Sequence, residues 1–469
     1  MAGVEVIILA AGQGKRMVSA WPKVLHALGG KPLLGHVIAV ARALRPSALH
    51  VVYGHGGEAV RACFAKAALC GDDLCGNDTP GVPIRWVHQT EQRGTGHAVR
   101  EALPGVRSDD TSVVVLNGDV PLVSPATLLE AVAAAAEGAL TVVTAEVRDA
   151  TGYGRILRDG SGRMIGIREE KDASDEERRI NEINSGIMVG RCGHLRRWLA
   201  ALQPNNEQGE LYLTDAIEAA ISDKVPVATV LSPDEAEIAG VNDRVQLAQL
   251  ERVYQLRKAQ ELMYRGATIA DPARIDIRGN VNVGQDVFID VNVVFEGDVE
   301  IGAGSTIGPN CLIKQSSIGP AVEVLANSII ESAVVAARAR VGPFARVRPE
   351  SVLEEGVHVG NFVEVKKSTL ARGSKVNHLS YVGDAQVGAR VNIGAGTITC
   401  NYDGAKKHRT IIEDDAFIGS GTELVAPITV GAHATIGAGS TLSRDAPQNA
   451  LTVNRAPVRS VSDWQRPKK

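Results

Sequence analysis

A chain of 469 residues is longer than one ordinary core, since domains usually run to roughly 100–200 residues, so two or more folding units are expected. Its 50 Lys and Arg nearly balance 54 Asp and Glu, which excludes a global field that would recruit nucleic acid or a membrane surface. No apolar run reaches the ~18 residues needed to cross a bilayer, and Met1 to Ala10 has neither a basic lead nor a cleavage site, so a soluble, unprocessed cytoplasmic protein is expected. Six scattered cysteines match neither a zinc knuckle nor a redox pair and read as free buried thiols. The 49 glycines against only 4% aromatic residues favour an architecture of tight corners.

Val4–Leu9, Ala48–Val52, Ser112–Leu116 and Leu140–Val147 are short, β-branched and bounded by Gly or polar turns, which predicts buried strands. Between them Pro32–Leu44, Gly96–Leu103 and Pro125–Glu137 carry helical spacing. Alternation of this kind predicts an α/β domain over residues 1–243, built on a doubly wound parallel sheet. Residues 244–264 form a charged amphipathic stretch, read as a connecting helix.

From 265 to 469 the helical signal gives way to a six-residue rhythm. Apolar residues recur at Val281, Val287, Val293 and Val299, at Ile301, Ile307 and Ile313, and at Val430, Ile436 and Leu442. Glycine often follows, as at Gly302, Gly388, Gly394, Gly419 and Gly431. A period of six suits a solenoid in which each short strand forms one side of a coil and a small residue permits the corner, so three hexads close a triangular turn. Val363–Ser380 and Thr399–Arg409 interrupt the rhythm and read as loops leaving a rigid solenoid, favoured places for function.

Strand Val4–Leu9 runs into Ala10-Ala11-Gly12-Gln13-Gly14-Lys15-Arg16-Met17, with Pro22-Lys23 close behind. A glycine turn after a strand brings backbone N–H groups up to phosphate oxygens, and Arg16 and Lys23 neutralise their charge. The third glycine of the dinucleotide fingerprint is missing, which argues against a nicotinamide cofactor.

The whole string, Leu9 to Met17 and then Pro22-Lys23, resembles the signature loop of the sugar-nucleotide pyrophosphorylases. That resemblance implies nucleotide contacts from Leu9, Ala10, Ala11 and Gly12, and a base-binding segment at Gln89, Gly94 and Thr95. It makes Asn117-Gly118-Asp119 the end of a strand carrying a metal-binding aspartate, with Asn242 as second ligand, and it makes Gly154, Glu169 and Asn184 sugar-contacting. Two hard oxygen ligands suit Mg2+, which keeps waters and takes its other contacts from substrate phosphates. The sequence departs from the family's usual residues at Asn117 and at Glu170.

In the repeat, polar and basic residues concentrate at Arg348, at Glu364 to Lys367, and at Asn377-His378 to Tyr381. Arg348 and Lys366 suit a phosphate, and His378 suits the removal of a proton from an amine attacking a thioester. With Val391 to Gly404 and Lys406-Lys407, these strings resemble the acetyltransferase half of the bacterial bifunctional N-acetylglucosamine-1-phosphate uridylyltransferase / glucosamine-1-phosphate N-acetyltransferase family.

The resemblance implies a left-handed parallel β-helix, with His378 as general base, Arg348, Lys366, Tyr381 and Asn392 on glucosamine 1-phosphate, and Glu364 orienting the amine or His378. Acetyl-CoA contacts fall on Ala395, Asn401 and Tyr402, then on Ser420, Ala438 and Arg455. Acetyl-CoA and UTP are the implied co-substrates, Mg2+ the implied metal and a homotrimer the implied assembly. Two rivals are disfavoured: a monofunctional pyrophosphorylase for another sugar whose β-helix serves allostery or assembly, which gives His378 no role, and a regulatory scaffold, which predicts loss of the phosphate loop or metal ligands although Arg16, Lys23, Asp119 and Asn242 are all present.

Overall fold

A computed structural model of the protein describes residues 3–54, 56–70, 82–204, 206 and 208–467, without the side chains of 66–70. The chain forms two compact units, Met1–Tyr254 and Gln255–Lys469.

The first unit is built on β-branched runs that cannot be exposed. Strands β1 (Val4–Ala10), β2 (Leu49–Tyr53), β3 (Ile84–His88), β4 (Ser112–Asn117) and β5 (Leu140–Glu146) are joined by a hairpin, β6 (Arg155–Arg158) and β7 (Met164–Arg168), and by β8 (Glu182–Arg191) and β9 (Val227–Leu231). The main sheet has the order β9-β5-β8-β4-β1-β2-β3, with the hairpin hanging from β8. Alternate residues of β1 serve opposite faces: Val6 and Ile8 join one apolar cluster, which also holds residues of helices α1 (Leu33–Ala43), α2 (Gly57–Cys70) and α4 (Pro125–Ala134). Ile7 joins the cluster of α3 (Thr95–Ala102), α5 (Cys192–Ala201) and α6 (Asp215–Ser222).

The sheet is therefore doubly wound, but β8 runs antiparallel to both β4 and β5. No helical crossover joins β5 to β8. The hairpin between them returns the chain to the sheet from the opposite end, and the strand must run back.

The helix over Arg244–Tyr264 contributes to both cores. Leu247, Leu250 and Tyr254 pack with Met17, Leu28 and Leu33, while Ala259 and Leu262 join the core of the second unit. Within that unit the buried Gln255 clamps the first rung, its amide donating to Ile277 O (3.0 Å) and its Oε1 accepting from Ile277 N (2.6 Å).

The second unit is a left-handed β-helix of parallel strands. Partners in adjacent rungs lie 17 or 18 residues apart, as Ile275 with Val293 and Leu312 with Ile329, which is three hexads per turn. Every apolar residue singled out in the hexad rhythm is buried, Val287, Val293, Ile307, Ile313 and Val430 completely. The corners, however, are not the place for most of those glycines. Corner positions with positive φ are held by residues such as Asp286, Asn292, Asn310 and Asn327. The glycines after the inward apolar residues allow coils to stack: a Cβ on Gly394 would lie 2.6 Å from Ser420 N, and one on Gly419 2.5 Å from Ala438 N.

Val363–Ser380 does not leave the solenoid, since Glu364 pairs with Tyr381 in the ordinary register. The excursion is real at the second stretch, where the step from Ile398 to its partner Glu423 grows to hold a loop closed by a Tyr402–Lys407 bridge. Of the cysteines, Cys192 and Cys311 are buried free thiols as expected, whereas Cys63 and Cys400 are only half-buried. Cys75 and the side chain of Cys70 lie outside the described residues, as do Lys468 and Lys469 of the basic tail.

Phe295 is fully buried and sits between Ile277 and Ile313 in neighbouring rungs. Phe295→Ala is expected to destabilise the β-helix by about 3–5 kcal/mol, read from chemical denaturation followed by circular dichroism; a loss below about 1 kcal/mol would mean the rungs collapse onto the void.

Candidate functional site

At the carboxyl end of β1 the chain must turn sharply under the neighbouring strand. Gly118 N donates to Leu9 O (2.9 Å), and a Cβ on Gly118 would stand 3.0 Å from that same oxygen, so the glycine lets the end of β4 close on the loop. The loop itself tightens into a short 3-10 turn, with Met17 N on Gly14 O (2.9 Å) and Gly14 at φ 60. A cleft of about 450 Å³ opens there, in the place where open α/β sheets bind ligands.

Leu9, Ala11, Gly12 and Lys23 line the cleft on one side, Gln89, Gly94 and Thr95 on another, and Asn117 and Asp119 at its end. Ala10 is buried in β1 and Gly118 lies between two lining residues. Arg16 is exposed and outside the lining, whereas its neighbour Lys15 is within it. Gln13, Gln92 and Glu210 also line the cleft. Glu210 was invisible to motif reading because it comes from a segment without a motif.

Electrostatics organise the end of the cleft. The Lys23 ammonium is paired with the Asp119 carboxylate and lies 3.3 Å from Asn242 Oδ1. Asn242 is in turn held by its N–H on Gln246 Oε1 (2.7 Å), and Val241 N by Asp119 O (2.9 Å). An ammonium thus stands where two hard oxygens converge, so the donor pair is suited to a cation, and a divalent ion fits it with water and phosphate oxygens completing its shell.

The sugar-predicted residues form a second group. Asn184 N donates to Gly154 O (2.8 Å), and a Cβ on Gly154 would lie 3.3 Å from Glu169 Oε2. A β-bulge between Asn184 and Met188 turns this stretch of β8. Asn117 links the two groups, its Nδ2 donating to Ser185 O (3.3 Å).

Behind Glu169 a cavity of about 400 Å³ gathers Asp172, Thr214, Asp215 and Glu218. Burial pushes the Glu169 carboxyl up, against a hydrogen bond from Thr214 Oγ1 (3.1 Å). Burial, with the charges of Glu218, Glu169 and Asp172, raises Asp215 to about 6, outweighing its place at the favourable start of α6.

On the β-helix, Arg348 donates to Glu364 Oε1 (2.7 Å), and Tyr381 is Glu364's partner in the next rung. Glu364 is thus bonded to Arg348, and it is Asn361 Oδ1 that bonds to His378 Nδ1 (2.9 Å). Lys366 lies 3.9 Å from Asp384, which also accepts from Asn401 Nδ2. Asn401 Nδ2 is in turn 3.5 Å from Tyr381 Oη. Lys407, from the excursion, approaches Lys366 closely enough for hydrogen bonding and repulsion to hold its pKa down. Lys366 and Lys407 thus gather beside Asp384 as two cations against one carboxylate, an excess of positive charge suited to an anion, and sequence spacing alone could not place Lys407 there.

Asn392 lies in the next rung, paired with Lys375. Ala395, Ser420 and Ala438 hold equivalent places in successive coils, with Gly421 N on Ala395 O (2.7 Å) and Gly439 N on Ser420 O (2.8 Å). Arg455 comes within reach of Gly437 at the top of that column, and Tyr402 stands exposed on the loop.

Residues 6–210 match the family model described as MobA-like NTP transferase domain, 277–361 the GMPPB C-terminal domain, and 409–444 the bacterial transferase hexapeptide (six repeats). Over its length the chain is similar to proteins named Bifunctional protein GlmU. It is 54% identical to that of Methylococcus capsulatus (strain ATCC 33009 / NCIMB 11132 / Bath), covering 99% of this chain and 98% of the relative. It is 52% identical to that of Alkalilimnicola ehrlichii, covering 99% and 96%, and 53% identical to that of Azoarcus sp. (strain BH72), covering 99% and 100%.

Asp215 yields a pH prediction. Its carboxyl titrates higher in the folded protein, so between pH 3.8 and about 6 the folded state holds a proton that the unfolded chain has released, and stability falls as pH rises through that window. Asp215→Asn is expected to raise the denaturation midpoint at pH 8, with the gain shrinking at pH 5. An equal gain at both values would show that the charge is not its origin.

Proposed function

The chain belongs to the bifunctional GlmU family, and from that membership and the two sites we infer that it makes UDP-N-acetylglucosamine by two successive transfers. Acetyl transfer from acetyl-CoA to glucosamine 1-phosphate comes first. Uridylyl transfer from UTP to N-acetylglucosamine 1-phosphate, with release of pyrophosphate, follows and feeds cell-envelope precursors.

The observation that carries the second step is the meeting of Lys23 with Asp119 and Asn242, residues 96 and 219 positions away in the chain, at the mouth of a glycine loop. A phosphate oxygen of the sugar phosphate attacks the α-phosphorus of UTP in line, and the bond to the β-phosphate oxygen breaks. No protein nucleophile is required: the loop's N–H groups position the triphosphate, and Arg16 and Lys23 take its charge. Asp119 and Asn242 would hold Mg2+, which when bound neutralises charge on the phosphates. Gln89, Gly94 and Thr95 hold the uracil, and Gly154, Glu169 and Asn184 the sugar.

In the first step, His378 takes a proton as the 2-amino group of glucosamine attacks the thioester carbonyl, and the coenzyme A thiolate leaves. Arg348, Lys366, Tyr381 and Asn392 hold the sugar phosphate, and the crowding of Lys407 on Lys366 supports adding it to them. Acetyl-CoA runs along the column of Ala395, Ser420 and Ala438, with Asn401, Tyr402 and Arg455 beside it. The β-helix is the module of assembly, as a homotrimer, and the enzyme works in the cytoplasm on small molecules.

The test follows thiol and pyrophosphate release separately from glucosamine 1-phosphate, acetyl-CoA, UTP and Mg2+. His378→Ala is expected to cut thiol release by about 10²–10⁴-fold, and N-acetylglucosamine 1-phosphate should restore its pyrophosphate release. Asp119→Ala should lose pyrophosphate release and keep thiol release. Pyrophosphate without any thiol from the unaltered protein would reduce the β-helix to a scaffold.

A further inference from the structure

A neutral imidazole can serve as a base only through the nitrogen that lacks a proton, so what fixes the tautomer of His378 decides whether it works. Its Nδ1 lies 2.9 Å from Asn361 Oδ1, and the two residues are register partners in adjacent rungs. An amide oxygen only accepts, so Nδ1 carries the hydrogen and Nε2 presents its lone pair. We propose that Asn361 is a positioning residue for acetyl transfer, holding His378 in the Nδ1–H tautomer with Nε2 free; this rests on the reading of His378 as the base.

The backbone is shaped to keep the pair together. A Cβ on Gly360 would lie 2.0 Å from Asn377 O, so glycine there lets the strand His358–Asn361 close on the strand Lys375–His378. Leu379 N donates to Asn361 O (3.1 Å), pinning the corner just beyond the ring. Among the described residues no carboxylate pairs with His378. Lys375 is the other titratable group on its own strand and His358 the one on the strands bonded to it, and round the corner stand Glu364, Lys366 and Tyr381.

An amide orients the ring without adding charge. A carboxylate in its place would stabilise the imidazolium and make Nε2 a stronger base that is protonated to higher pH. The choice of Asn over Asp therefore sets the pH above which the base is free.

The test uses the full chain, with circular dichroism and thermal unfolding of the β-helix as the control of folding and uridylyl transfer from N-acetylglucosamine 1-phosphate as the control for the other site. Asn361→Ala is expected to lower kcat for thiol release by about 10–100-fold with KM for glucosamine 1-phosphate within about twofold. Asn361→Asp should move the acid limb of the kcat/KM profile up by about one pH unit or more and recover activity above it. Nitrogen-15 NMR of the imidazole should show Nδ1 protonated in the unaltered protein and a mixture of tautomers in Asn361→Ala. If His378→Ala is inactive while both Asn361 variants keep the rate, the profile and the tautomer, the positioning role is wrong. If His378→Ala keeps its thiol release, the reading of the base fails and this inference falls with it.

Discussion

The rung-to-rung ladder of the β-helix is the constraint on which its chemistry depends. Most strands bond to the one 17 or 18 residues on, which places side chains of equal phase about 4.8 Å apart. At that spacing like meets like in columns: Asn292 donates to Asn310 (2.9 Å), and the Phe344 and Phe362 rings stack at 5.2 Å. Chemistry is written in the same columns. Glu364 and Tyr381 meet as register partners, and Arg348, two residues past Glu364's other partner Arg346, reaches that carboxylate diagonally along the strand. Buried hydroxyls seal the polar backbone at those corners, as when Ser368 Oγ takes Ala385 N (2.9 Å).

The α/β unit reaches rigidity by another route. Its cleft forms where the strand ends of β1 and β4 stop together, tied by Gly118 N on Leu9 O. Lys23 then stands between Asp119 and Asn242, tying together residues that are far apart in the chain.

Sequence spacing carried the hexads because a period of six leaves one inward residue per side, and Val287 or Ile307 had no alternative to burial. It misassigned the purpose of the glycines that follow them, since close stacking of coils and left-handed corners both select for glycine and leave the same mark. The antiparallel β8 was not legible, because a strand's direction depends on how the chain arrives and not on its own residues. Val363–Ser380 looked irregular only because polar side chains of the site occupy outward positions there, where the coil is indifferent to polarity. Glu364 and Asn361 lie three residues apart near one corner, and only the register decides which of them reaches His378.

The two departures from the family's usual residues have compensations in the neighbourhood. Glu170 pairs with Arg155 at 2.7 Å, and Arg155 is 2% exposed, so its guanidinium needs a counter-charge within reach. Glu170 also accepts from Gly152 N (3.3 Å), which steadies the turn leading to Gly154. A neutral ring at 170 would leave Arg155 to backbone oxygens alone, so in this chain the carboxylate and the arginine form one unit. Asn117 is accommodated similarly, its amide lying over Gly186 at a point where a Cβ would come within 2.3 Å of Nδ2. Gly186 and Asn117 are therefore matched as well, and both departures are absorbed by local packing while Lys23 keeps its contacts with Asp119 and Asn242.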